Sequence, residues 1–151
     1  MRNGIVTKVA ASTAILVVLS AGVMAQSPEQ LVGTWRLVST TNTNAQGASI
    51  EPFGPHPLGS YTFDANGHFT QVIVPGEKGA ATGMVATFGD YTLSNGGKTL
   101  TRNIVGSQNL QAVGKALPLE ISISQDEMVV TNATPSVQTS ERATAIWKRV
   151  K

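Results

Sequence analysis

The sequence contains no cysteine, which removes disulfides and thiolate metal sites from its chemistry. It also has little net charge. Eleven Lys and Arg stand against nine Asp and Glu, and two of the basic residues, Arg2 and Lys8, fall in the first twenty-five positions. That segment, Met1 to Ala25, has the make-up of a secretory signal. The two basic residues form its positive end, VAASTAILVVLSAGV is its apolar core, and Val23-Met24-Ala25 sets small residues before Gln26. The run is broken by Ser12, Thr13 and Ser20 and is short for a membrane span, so cleavage is expected over an uncleaved anchor. No cysteine follows the cleavage point, so the N-terminus is not expected to carry a lipid.

Cleavage would leave residues 26–151, a single domain of 126 residues with nine charges of each sign. A neutral chain whose one basic cluster is Lys148-Arg149-Lys151 is not suited to nucleic acid, and it offers no polybasic attraction to a membrane surface. The expected location is the periplasm or the medium, where a cysteine-free domain of this size holds a core without staples. Asn132-Ala-Thr134 matches a glycosylation sequon, but the following Pro135 argues against its use.

Helical periodicity is nearly missing too. The one helical candidate is a turn at Pro28–Leu31, with Ser27 at its cap and Pro28 in the first helical position. The rest alternates apolar and polar residues in short runs. These run from Thr34 to Thr41, Leu58 to Phe63, His68 to Val74, Val85 to Leu93, Lys98 to Val105, Leu117 to Ile123, Glu127 to Asn132 and Arg142 to Val150. Asp64-Ala-Asn-Gly67, Ser94-Asn-Gly-Gly97 and Gln125-Asp126 are tight turns, because Asn and Gly accept positive φ. TNTNAQGAS is polar and turn-rich, and IEPFGPHPLG carries three prolines that exclude a central strand. GSQNLQAVGK shows no period. Eight runs with mostly hairpin-length links predict an all-β, eight-stranded antiparallel up-and-down barrel. A two-sheet sandwich needs longer crossings than most of these links provide.

A barrel of this size has an interior that holds side chains or one small ligand, and two ends to seal. One of only two tryptophans, Trp35, stands on the first strand behind Gly33, and the last strand, TAIWKRV, should lie beside it. Trp35 is expected to plug one end, with the Arg149 guanidinium over its ring. Gly33 is expected to let the backbone of the entering helical turn pass close by.

Gly33-x-Trp35 on the first strand with an arginine on the last resembles the plug of the lipocalin/calycin superfamily. The ordered segments LVGTWRLVS, PFGPHPLGSYTFDANGHF, ATFGDYTLS, GGKTLT and AIWKRV resemble a bacterial lipocalin-like domain family over nearly the whole of residues 26–151. GSQNLQAVGKALPLE departs from that pattern, because it lacks an aromatic-rich segment. The resemblance implies an eight-stranded barrel that binds a small molecule. It transfers no catalytic residues and implies no cofactor.

Period-two faces nominate the cavity lining as Tyr61 and Phe63, then Phe69, Gln71 and Ile73, then Tyr91. The same side chains can instead fill the barrel as a core, with Tyr61, Tyr91 and Gln71 satisfying one another. His56, held between Pro55 and Pro57, is the candidate at the mouth. His68, twelve residues on, is expected to be a solvated strand start, and the two make no recognisable metal site. Glu120 and Asp90 are expected to face solvent, Asp90 towards Arg102 on the next strand. No nucleophile elbow or glycine-rich phosphate loop is present.

The expected function is therefore the binding of a small, largely apolar molecule. Two other functions fit the same barrel. An enzyme of the isomerase or cyclase type would need His56 or Arg102 turned inward. A filled barrel would act as an interaction or inhibitor protein through its loops at Asn42–Pro57 and Pro75–Gly83.

Overall fold

The computed structural model describes residues 27–78, 83–132 and 142–151. The proposed signal segment and all but the first residue of the sequon lie outside the described residues.

The helical turn α1, Pro28–Leu31, opens the described chain. Its first turn is held by the Ser27 N–H donating to Gln30 Oε1 at 3.0 Å. The strands that follow are β1 Gly33–Thr43, β2 Ser49–Ile50, β3 Leu58–Phe63, β4 His68–Val74, β5 Val85–Ser94, β6 Thr99–Ser107, β7 Ala116–Ser124, β8 Glu127–Asn132 and β9 Arg142–Arg149. The sequence-expected runs survive with ends moved by a few residues. GSQNLQAVGK becomes the end of β6 and a 3₁₀ turn at Leu110–Ala112. The polar stretch after β1 forms a turn in which Asn44 Oδ1 accepts from the Gln46 and Ala48 N–H groups, and the chain returns as the two-residue β2.

All pairings are antiparallel; β1 pairs with β2 and β3, each later strand pairs with the next, and β1 also pairs with β9 from Trp35↔Arg149 to Thr43↔Arg142. That last ladder closes the sheet into an eight-stranded up-and-down barrel with β2 as an appendage, and it removes the free edges an open sheet would expose. The three short turns, after β3, β5 and β7, gather with α1 at one end. Strands β1, β4, β6 and β8 all run towards the other end, where the longer connections after β1 and β6 lie, so one end is tight and the other is a mouth.

Alternation decides what faces in. On β4 the buried residues are Phe69, Gln71 and Ile73, and on β5 they are Thr87, Gly89 and Tyr91. Seven of the eight aromatic side chains are buried, and Phe88 alone is exposed. Two bulges interrupt the pattern. On β1, Leu37 faces Trp147 but Ser39 faces Ile146, so Val38 is extra and Thr40 rather than Ser39 is buried. On β6, Gly89 faces Ile104 while Phe88 faces Gly106, leaving Val105 as the extra residue. Gly89 has to be glycine there, since a Cβ would lie 2.0 Å from the Asn103 carbonyl oxygen.

Candidate ligand-binding site at the mouth of the barrel

The tight end is sealed from inside. Leu31 and Trp35 are fully buried, and Trp35 Nε1 donates to the Leu31 carbonyl at 2.9 Å. The Arg149 guanidinium sits over the indole, 4.2 Å from its centroid. Its Nη1 and Nη2 donate to the Val32 and Gln30 carbonyls at 2.8 and 2.5 Å. The sequence expectation for Gly33 needs correcting. The atom a Cβ would meet is Arg149 Nη1, at 3.0 Å, rather than the backbone of the helical turn, and φ of +128° is a second reason for glycine.

Above this plug the barrel is packed with rings. Tyr61 lies 4.2 Å from Phe63, 5.2 Å from Trp147 and 6.0 Å from Phe69 between centroids, and Phe63 meets Tyr91 edge-on at 5.2 Å. The Tyr91 hydroxyl donates to the Asp64 carbonyl at 2.7 Å, and burial together with the nearby Asp64 carboxylate pushes its phenol up from the ordinary value. Of the six nominated lining residues, Tyr61, Phe63, Phe69 and Tyr91 belong to this packed lower interior. The expected mutual satisfaction of Tyr61, Tyr91 and Gln71 is not formed.

Nearer the mouth the interior opens into a pocket of about 260 Å³. Gln71 and Ile73 line it, with Phe53, Leu119, Val130 and Ala145 supplying most of its apolar wall. Phe53 comes from the proline-rich loop and is buried, whereas His56 in the same loop is exposed and is not part of the lining. Among the lining residues Arg102 is the one that carries a charge. A space of about 320 Å³ adjoins the pocket, sharing Arg102, Leu119 and Asn132 and reaching Leu117 and Pro118. It borders the stretch where the sequence lacks the aromatic-rich segment.

Arg102 was expected outside, opposite Asp90. Instead Asp90 faces Asn103, and Arg102 faces the inward Tyr91. Asp90 pairs with His68, Oδ1 to Nδ1 at 2.7 Å on the outer surface, and Glu120 pairs with Arg142. Inside, Arg102 Nη1 donates to Gln71 Oε1 at 2.9 Å, and the guanidinium carbon lies 5.6 Å from the Phe69 centroid. The signal was present in the sequence. Arg102 stands between Leu100 and Ile104 at spacing two, so it shares the face of two residues that are almost fully buried.

Four buried polar atoms have no hydrogen-bond partner among the described residues: Thr40 Oγ1, Tyr61 Oη, Arg102 Nε and Trp147 Nε1. Burial pushes the Tyr61 phenol up, and the adjacent Arg102 charge acts the other way. The pocket can hold a small molecule and offer it hydrogen bonds from one side. A guanidinium presents N–H donors and no acceptor, so Arg102 can bind an acceptor group of a guest. Among the described residues no cluster of His, Asp or Glu could hold a metal ion.

A closed eight-stranded up-and-down barrel, plugged at one end by Trp35 and Arg149 and open to a pocket at the other, is the lipocalin-like class of fold. Within that class the chain belongs to the family described as a domain of unknown function (DUF4488), whose model matches residues 30–151. Comparison with curated proteins finds no match. Solved structures of similar shape include a lipocalin-like protein from Bacteroides uniformis, 17% identical over 80% of this chain and 99% of that one, with a TM-score of 0.48. Bovine odorant-binding protein in complex with a selenium-containing odorant is 20% identical over 83% of this chain and 74% of its own, with a TM-score of 0.46. A de novo designed fluorescence-activating barrel is 11% identical over 81% and 95%, also at 0.46. The barrel assignment rests on the strand pairing itself.

Proposed function

We propose that the protein is exported and carries a small, largely apolar molecule in the pocket at the barrel mouth. The observation that supports this most directly is the division of the interior. Rings fill the plugged end, while an apolar-walled space of about 260 Å³ stays open near the mouth. That volume lies just under the usual range of ligand pockets, roughly 300–1,000 Å³, so the guest is small. Affinity would come from apolar area removed from water, at about 25 cal/mol per Å² before the cost of immobilising the guest. Export rests on the make-up of Met1–Ala25 and leads to the periplasm or the medium.

Native mass spectrometry of the protein purified from its own host tests the binding reading. A co-purifying small molecule at one per chain is expected. Protein that arrives empty and whose tryptophan emission does not respond to medium-chain alcohols or acids would remove it. N-terminal sequencing of the same material should begin at Gln26, and a chain beginning at Met1 would refute export by cleavage.

A further inference from the structure

We infer that the guest is an amphiphile with a single carboxylate, and that this head group sits inside the barrel on Arg102 with its apolar chain running towards the mouth. The inference rests on the binding reading above and names the chemical class of the guest. Arg102 is carried inward by the alternation of β6 between Leu100 and Ile104, and the rest of the pocket wall carries no charge. Among the described residues no carboxylate pairs with it. Its one hydrogen bond goes from Nη1 to the neutral Gln71 Oε1. Its Nε is buried without a partner among the described residues.

Arg102 is half-buried, and a charge partly withdrawn from water gains when an opposite charge is brought beside it. Here the pairing is half made. Gln71 takes one N–H of Nη1, Nε is closed in by protein, and Nη2, which has no partner among the described residues, is left for a guest. A carboxylate suits such a donor, because a hydrogen bond between an ionised donor and an ionised acceptor is roughly twice as strong as a neutral one. One cation calls for one negative charge; a phosphate dianion would leave a charge unbalanced in this wall. The apolar part of the lining, which includes Phe53, Ile73, Leu119, Val130 and Ala145, suits an alkyl or ring body.

Titration calorimetry of the full folded chain with octanoate and with 1-octanol tests this, because the two probes share a chain and differ in the head. Octanoate should bind at least tenfold tighter than 1-octanol, a difference of about 1.4 kcal/mol. In Arg102→Met the preference should vanish, with octanoate weakened at least tenfold and 1-octanol changed less than about twofold. Circular dichroism checks that the variant keeps its sheet; if it does not, the wild-type comparison decides alone. Equal affinities for the two probes in the wild type would overturn the carboxylate assignment and leave the binding reading standing. Binding of neither probe would overturn both.

Discussion

The Arg149 guanidinium covers the Trp35 indole at 4.2 Å and at the same time donates to two carbonyls of the chain entering the barrel, at Val32 and Gln30. One side chain on the last strand thereby fixes the first strand, the helical turn before it and the seal of the tight end. The residues involved are separated by more than a hundred positions, so this contact exists only when the barrel is closed.

Removing that side chain should therefore cost more than a surface substitution. Two hydrogen bonds from a charged donor and a cation–π contact would be lost, and two carbonyls left facing the gap. Arg149→Ala is expected to lower unfolding free energy by about 2–4 kcal/mol in urea titrations. Arg149→Lys should recover only part of it, because an ammonium cannot fork to both carbonyls while covering the ring.

Gly33→Ala probes the same end from the other strand. A Cβ there would stand 3.0 Å from Arg149 Nη1 at a φ of +128°. The expected loss is about 1–3 kcal/mol, read from the thermal midpoint. A melting curve unchanged from wild type would show that the plug relaxes more freely than its hydrogen bonds imply.

The two tryptophans should respond differently to loss of the indole N–H. Trp35 Nε1 is bonded to Leu31, whereas Trp147 Nε1 is buried without a partner among the described residues. Trp35→Phe should cost about 1–2 kcal/mol beyond the lost packing, because it orphans the Leu31 carbonyl. Trp147→Phe removes an unsatisfied donor, so its cost should be the smaller of the two in the same urea series.

The turn after β3 carries a pH dependence. Asp64 Oδ1 accepts from the His68 and Asn66 N–H groups at 2.8 and 2.9 Å. The His68 N–H leads in holding the Asp64 carboxyl below its ordinary 3.8. A depressed folded-state pKa means the unfolded chain takes up the proton first as pH falls. The contribution of Asp64 is thus intact above about pH 4 and is lost as pH drops from 3.8 through the lower folded value. Asp64→Asn keeps an acceptor oxygen and should flatten the thermal midpoint between pH 5 and pH 2.5, relative to wild type.

Phe53 is expected to act as the cover of the pocket. It is buried, comes from the long loop after β1, and lines the space that Arg102 points into. Phe53→Ala should speed release of a bound alkyl probe in stopped-flow fluorescence by several-fold, while His56→Ala, at an exposed site in the same loop, should leave the rate unchanged.

Much of this was legible in the chain. Period-two alternation gave the inward faces of the strands, and the Asn and Gly turns gave the hairpins, because both follow from local backbone geometry. The pairing of Arg149 with Trp35 was legible too, once closure was assumed. Asp90 and Arg102 show the limit. They lie on adjacent strands and carry opposite charges, which made them plausible partners, yet the register sets Arg102 against Tyr91 and Asp90 against Asn103.

What the sequence determined by itself, then, is the eight strands of the barrel, the tight turns and, on the strands without a bulge, the inward face. What only the tertiary structure decided is the height of each inward residue along the barrel axis: that Tyr61, Phe63, Phe69 and Tyr91 pack beneath the pocket, while Gln71, Ile73 and Arg102 line it. The face of a residue depends on its neighbours in the chain. Its height depends on strand stagger and on bulges such as those at Val38 and Val105, which are set by pairing between segments far apart in sequence.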